Sequence, residues 1–294
     1  MKAFKGPSAS GKQDEESLEQ QRSVQSSLDK IKKKFLVMSG KGGVGKTSVS
    51  VNLAMALANK GHKVGLMDID IHGPDIPRMV GITGMLQGTA DRKLVPIRYS
   101  HNLSVVSIES LMPNKDEAVI WRGPMKHSVI RQFIGDVLWG ELDYLIIDSP
   151  PGTGDEPLSV AQTIPDAQAI IVTTPQEVSL ADVRKSIAFC KSVKMKIFGV
   201  IENMSGFICP HCKKTIALFG SGGGWRTAQA ANLRFLGQIP FDLNLVASGD
   251  QGLSFQKIFQ NSEAAKAFDQ IAVQLTLSLQ KSEGSRVKAP RTQP

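Results

Sequence analysis

The densest chemistry in the chain lies in Gly40-Lys41-Gly42-Gly43-Val44-Gly45-Lys46-Thr47, which satisfies G-x-x-x-x-G-K-[ST]. Glycines at this spacing let backbone N–H groups turn inward around an anion. A helix beginning at the end of the run adds unpaired N–H groups and the positive end of its dipole. A lysine at the seventh position reaches β- and γ-phosphates, and a hydroxyl at the eighth sits on Mg²⁺. The implied ligand is ATP with Mg²⁺, bound by residues Gly40 to Ser48, with Lys46 on the phosphates and Thr47 on the metal. A tight strand-to-helix turn alone would need neither Lys46 nor Thr47.

Two acidic positions fit the same chemistry. Asp148 closes the apolar run Leu145-Ile146-Ile147-Asp148 and is expected to hold Mg²⁺ directly or through water; Asp70, in Asp68-Ile69-Asp70, follows the second apolar run. Strand-ending aspartates also cap turns, so both are assigned to the site on the strength of the loop upstream. The glycines of Pro150-Pro151-Gly152-Thr153-Gly154-Asp155 would let backbone move with a terminal phosphate. A second chemistry is offered by Cys209-Pro210-His211-Cys212. One C-x-x-C is half a metal site, since structural zinc and iron–sulfur clusters take four protein ligands.

These residues need elements to position them. Phe35–Ser39, Lys63–Asp68, Leu103–Ile108, Tyr144–Asp148, Ala169–Thr173 and Lys196–Ile201 read as strands, apolar on consecutive rather than alternate residues. That pattern suits strands covered on both faces, hence a doubly wound, mostly parallel α/β sheet flanked by helices. Thr47–Lys60, stopped by Gly61, reads as a helix. In Ser179–Lys194 the helical spacing of Leu180, Val183, Ile187 and Cys190 turns Cys190 toward the core, and Ala265, Phe268, Ala272, Leu275 and Leu279 form the stripe of a late helix docked on the sheet.

The domain expected from this pattern is one ATPase unit over 33–280, with a disordered or loosely helical tail at 1–32 and a basic disordered tail at 281–294. Of the net charge of +8, residues 1–34 hold eight basic against five acidic groups and residues 281–294 hold four against one, so the body is nearly neutral. A neutral body gives little ground for a dedicated DNA surface. No apolar run approaches the about 20 residues that span a bilayer, and Asp14-Glu15-Glu16 argues against an Arg-rich presequence. A cytoplasmic location is expected, without membrane or specific nucleic-acid partners. Three cysteines do not make a secreted disulfide framework.

Lys41, where the general motif accepts any residue, makes the loop resemble the deviant Walker A ATPases G-K-G-G-x-G-K-[ST], the group of MinD, ParA and the nitrogenase iron protein. That resemblance implies a homodimer sandwiching two nucleotides, with Lys41 of each copy reaching the other copy's phosphates. It further implies Asp70 as the switch I aspartate orienting the attacking water, and Gly152 to Asp155 as switch II. Asp148-Ser149-Pro150-Pro151-Gly152-Thr153-Gly154-Asp155, Trp121-Arg122-Gly123-Pro124-Met125, Glu202-Asn203-Met204-Ser205 and the C-x-x-C together resemble the Mrp/ApbC family of iron–sulfur cluster carrier ATPases, from about residue 33 to 280. The family implies a labile [4Fe–4S] cluster bridged between two copies by Cys209 and Cys212, its delivery to apo iron–sulfur proteins, and Asn203 with the Pro240-Phe241-Asp242 turn against the adenine. The chain looks like the short form, without the extra N-terminal domain or cysteine cluster of some members. Two other readings stay open on the residues alone: a ParA/MinD-type positioning ATPase, and an ATPase with a structural zinc clasp, because four thiolates suit either metal.

Overall fold

The computed structural model describes residues 9–112, 123–209, 211–212 and 214–286. Trp121 and Arg122 of the expected motif, Pro210 and Lys213 of the cysteine loop, and both chain ends lie outside these residues. In chain order the elements are α1 (Ala9–Leu28), β1 (Ile31–Met38), α2 (Lys46–Asn59), β2 (Val64–Asp68), α3 (Ile76–Val80), the short β3 (Gln87–Gly88), β4 (Leu94–Val95) and β5 (Ile97–Arg98), then β6 (Leu103–Ser107), α4 (Gly123–Gly135), β7 (Leu142–Asp148), α5 (Asp155–Thr163), β8 (Gln168–Thr173), α6 (Glu177–Ser192), β9 (Lys196–Ile208), β10 (Thr215–Ile216), α7 (Gly223–Ala230), β11 (Phe235–Phe241), α8 (Leu243–Asp250), α9 (Phe255–Ile258) and α10 (Glu263–Arg286).

Nine strands form one sheet in the order β10-β9-β8-β1-β7-β2-β6-β5, with β11 also pairing β9. Every pairing in it is parallel except those of β10 and β5. β1 lies at the centre, and the chain leaves it toward β2 on one side before returning to β8 on the other. That reversal opens a crevice at the carboxyl ends of the strands, where ligands of such sheets bind.

The consecutive apolar residues of each strand serve two cores. Phe35 and Val37 of β1 face a cluster shared with α2, α8, α9 and α10, whereas Leu36 and Met38 face one shared with α1, α4, α5, α6 and α7. Both faces are therefore covered by helices, as a parallel sheet requires. Among the described residues no helix is long and apolar enough to cross a membrane.

Several boundaries differ from those the sequence suggests. The segment before residue 33 contains α1, whose last turns bury Val24 and Leu28 against the second core, and β1 begins at Ile31. Composition is blind to this, because two apolar residues four apart suffice to dock a polar helix. At the other end α10 runs on to Arg286, past residue 280. β9 extends seven residues beyond Ile201, and β11 was not anticipated as a strand at all, since Gly237 and Pro240 read as turn residues. Both are tolerated because β11 pairs on one side only, with register shifts around these positions.

On α10, Ala265, Phe268, Ala272 and Leu275 are buried; the Leu279 side chain lies outside the described set. Replacing the fully buried Phe268 by Ala should cost about 3–5 kcal/mol of stability, measured by urea unfolding. A loss under about 1 kcal/mol would contradict the placement of α10 in the core.

Candidate nucleotide site and cysteine hairpin

The loop between β1 and α2 is built on glycine. Gly43 and Gly45 hold left-handed φ of 76° and 77°, which other residues adopt only at a cost. A Cβ on Gly40 would lie 2.3 Å from the backbone of Asp182 at the start of α6, and one on Gly45 would lie 2.3 Å from Nδ2 of Asn203. The Asn203 amide instead donates to the Val44 carbonyl at 2.9 Å, so β9 clamps the loop from the side. Within α2 the first intrahelical bond runs from the Val49 N–H to the Gly45 carbonyl, and the N–H groups before it open toward the loop. Lys41 is half-buried, and its carbonyl accepts from Ser39 Oγ at 2.9 Å.

At the mouth of this loop stands a fully buried carboxylate. Asp148 Oδ2 accepts from Lys46 Nζ and from Thr47 Oγ1, each at 2.8 Å, and Oδ1 accepts from Ser50 Oγ at 2.6 Å. Lys46 itself is 6% exposed. The lysine and hydroxyl expected to face phosphate and metal are thus gathered on the one carboxylate that sequence assigns to the metal. Ser50 was not foreseen; it lies one helical turn beyond Lys46 and outside the motif.

A second acid was missed. Parallel pairing of β2 with β7 sets Asp68 opposite Asp148, and Asp68 is fully buried, accepting from Ser107 Oγ at 3.0 Å and from the Asp70 N–H at 3.1 Å. Burial pushes its carboxyl well above the ordinary value of 3.8, and the neighbouring Asp148 charge pushes the same way against these hydrogen bonds and Lys46. Asp70 is half-buried and its carboxyl is also raised, by burial first, with Lys46 pulling it down and Asp148 pushing it up. Its Oδ1 accepts from the N–H groups of His72 and Gly73, both at 3.3 Å.

Beside the loop lies a cleft of about 270 Å³ reached by Gly45, Ser48, Asn203, Pro240 and Asp242. Pro240 and Asp242 are therefore placed with the loop, although β11 carries the first and Asp242 caps α8 by accepting from the Asn244 N–H. Asp75 and Arg78 close the opposite wall; no motif announces them.

β9 continues from this cleft into a hairpin. Ile208 pairs with Thr215 and Phe207 with Ile216, and the Cys209 N–H donates to the Lys214 carbonyl at 3.0 Å. Cys209 and Cys212 thus share the turn between β9 and β10, with Cys212 exposed and Cys209 partly so. Among the described residues no group of three or more His, Cys, Asp or Glu side chains could hold a metal ion. Cys190 is buried in the core, its thiol pushed up to about 12 by burial.

A glycine-rich stretch before α7 could pass for a second anion loop, but the chain fills it. Glu202 Oε1 accepts from the Gly222 N–H at 2.8 Å and Oε2 from the Gly224 N–H at 2.5 Å, with Ser205 Oγ and Gln238 Nε2 also on Oε1. This buried carboxylate, next to Asn203 in the chain, fastens α7 to β9.

Residues 30–276 match the family described as NUBPL iron-transfer P-loop NTPase. The chain belongs to this family. The iron–sulfur cluster carrier protein of Methanocaldococcus jannaschii is 45% identical over 91% of this chain and 91% of its own length. The human cytosolic Fe-S cluster assembly factor NUBP2 is 45% identical over 81% and 90%. Among solved structures, a nucleotide-binding protein of Archaeoglobus fulgidus in complex with ADP superposes with a TM-score of 0.71 at 38% identity, covering 81% of this chain and 93% of that one. The Pyrococcus furiosus cell division ATPase MinD shares the fold at 22% identity, with a TM-score of 0.61 over 83% and 98%. In this member of the NUBPL iron-transfer family the glycine loop follows β1 and the cysteine hairpin follows β9, two strands of one sheet separated by β8.

Two outcomes follow for this family member. Gly45→Ala should weaken nucleotide binding tenfold or more, about 1.4 kcal/mol; fluorescent-nucleotide titration checks it, and unchanged affinity would contradict the clamp by Asn203. An acid whose folded pKa lies above its unfolded one binds its proton more tightly when folded, so stability falls as pH rises from 3.8 through the raised value. Asp68→Asn should therefore raise the Tm of the nucleotide-free protein by a few degrees near pH 8 and by less near pH 4. An equal offset at both pH values would contradict the assignment.

Proposed function

We propose that this chain is an ATP-hydrolysing carrier that, as a homodimer, holds a [4Fe–4S] cluster between the Cys209 and Cys212 pairs of two copies and passes it to apo iron–sulfur proteins. The observation that carries the reading is the course of β9, which clamps the phosphate loop with Asn203 and ends at Ile208, the residue before Cys209. The relatives named as iron–sulfur cluster carriers and the ADP-bound neighbour support it.

In this reading Lys46 leaves Asp148 for the β- and γ-phosphates, and Asp148 and Thr47 then hold Mg²⁺. The donor set fits, since a buried carboxylate beside a hydroxyl is a hard-oxygen site that needs a cation when Lys46 departs. The metal supplies charge neutralisation on the phosphate oxygens. Asp70 orients the attacking water, and Lys41 of the second copy adds a cation to the developing charge, tying hydrolysis to assembly. Asn203, Pro240 and Asp242 hold the adenine in the cleft. The cluster is cargo, completed only when two hairpins meet, and β9 leads from Asn203 beside the phosphate loop to the hairpin. The relatives named as cytosolic Fe-S cluster assembly factors support a cytoplasmic site of action.

Anaerobic reconstitution with iron and sulfide, followed by iron, zinc and ATPase assays, tests this. The wild type should turn brown and hydrolyse ATP; Cys209→Ala and Cys212→Ala should lose colour and keep ATP binding, while Cys190→Ser should keep both. A colourless wild type with intact ATP binding would refute cargo carriage, and stoichiometric zinc in protein purified without oxygen would replace it with a structural clasp.

A further inference from the structure

One largely covered cation touches both the Asp70 loop and the start of α5. Lys126, in the first turn of α4, is only 12% exposed, and its Nζ lies 2.7 Å from Oε1 of Glu156, itself 5% exposed. The same ammonium lies 3.1 Å from Nε2 of His72. His72 is two residues past Asp70 and donates its backbone N–H to the Asp70 carboxylate. Glu156 is the second residue of α5, directly after the glycine-rich segment that begins at Asp148. That segment is also pinned at Gly152, whose N–H donates to the carbonyl of Ser39, just before the phosphate loop, at 2.8 Å.

We propose that Lys126 is a positioning residue for ATP hydrolysis, its ammonium strapping the Asp70 loop to the start of α5 so that both loops close on the terminal phosphate together. The inference rests on the hydrolysis proposed above. An ammonium has three N–H donors and no acceptor, so it can serve the Glu156 carboxylate and the lone pair of a neutral His72 ring at once; no hydroxyl or amide of that length would carry the charge a buried carboxylate needs. The polar partners of Lys126 lie on α5 and on the Asp70 loop, so its effect falls on hydrolysis rather than on ground-state nucleotide binding. What it sets is the relative placement of Asp70 and the segment after Asp148, and small misplacements of reacting groups cost rate far more than affinity.

A plain structural ion pair between α4 and α5 would look alike at rest, and His72 separates the two. His72→Ala leaves the Lys126–Glu156 pair intact on an exposed loop. Steady-state ATPase and ADP titration on the full chain should show kcat falling about tenfold for His72→Ala and about ten- to a hundredfold for Lys126→Met. The ADP Kd should stay within about twofold, with partial recovery in Lys126→Arg. The two losses should not multiply in the double variant, since both cut one strap. If Lys126→Met lowers Tm while His72→Ala keeps wild-type kcat, the pair is structural and the inference is wrong. A wild type that binds ATP without hydrolysing it would sink both the strap and the hydrolysis on which it rests.

Discussion

The Asp148 carboxylate, wholly buried at the end of a central strand, is the constraint on which the rest of the site depends. A charge so placed must be neutralised and hydrogen-bonded, and Lys46, Thr47 and Ser50 converge on it from one and a half turns of α2. Those three can reach it only because the glycine loop delivers α2 over the end of β1, next to β7. The parallel register then brings Asp68 alongside, and two buried acids beside one lysine leave the nucleotide-free site short of positive charge. A cation and a phosphate-bound lysine would relieve this together, which is the physical content of the proposed binding of ATP with Mg²⁺.

β9 is the second organising feature. It carries Asn203 against the phosphate loop and Glu202 in the glycine-rich turn before α7, and Cys209 directly follows it in the hairpin. Between Asn203 and the hairpin the strand is irregular, with Met204 and Gly206 at left-handed φ of 56° and 80°. Glu202 ties α7 to the same segment, and a glycine run that could have cradled a phosphate is occupied by the chain's own anion.

What was legible in the sequence was local. The phosphate loop, the strand runs ending near Ser39, Asp68 and Asp148, and the helical spacing that buries Cys190 each declare themselves within a few residues, because backbone conformation and one buried face decide them. What was not legible depends on register and on neighbours distant in sequence. Asp68 reads as half of Asp68-Ile69-Asp70 until β2 is laid beside β7; Ser50 is an ordinary helix residue until Asp148 lies under it. Glu202 gains its role only from α7, and β11 was hidden by Gly237 and Pro240, which an edge strand tolerates. Asp75 and Arg78 reach the cleft through a short helix whose position no motif encodes.

The sharing of Asp148 between Lys46 and a metal is the central claim, and calorimetric titration with a non-hydrolysable ATP analogue, with and without Mg²⁺, tests it most directly. The wild type should bind much more tightly with the metal. Asp148→Asn should lose most of that gain, and should bind the metal-free analogue at least as well as the wild type, because Lys46 no longer has to leave a carboxylate. A variant that keeps the full metal dependence, or that loses metal-free binding, would contradict the account.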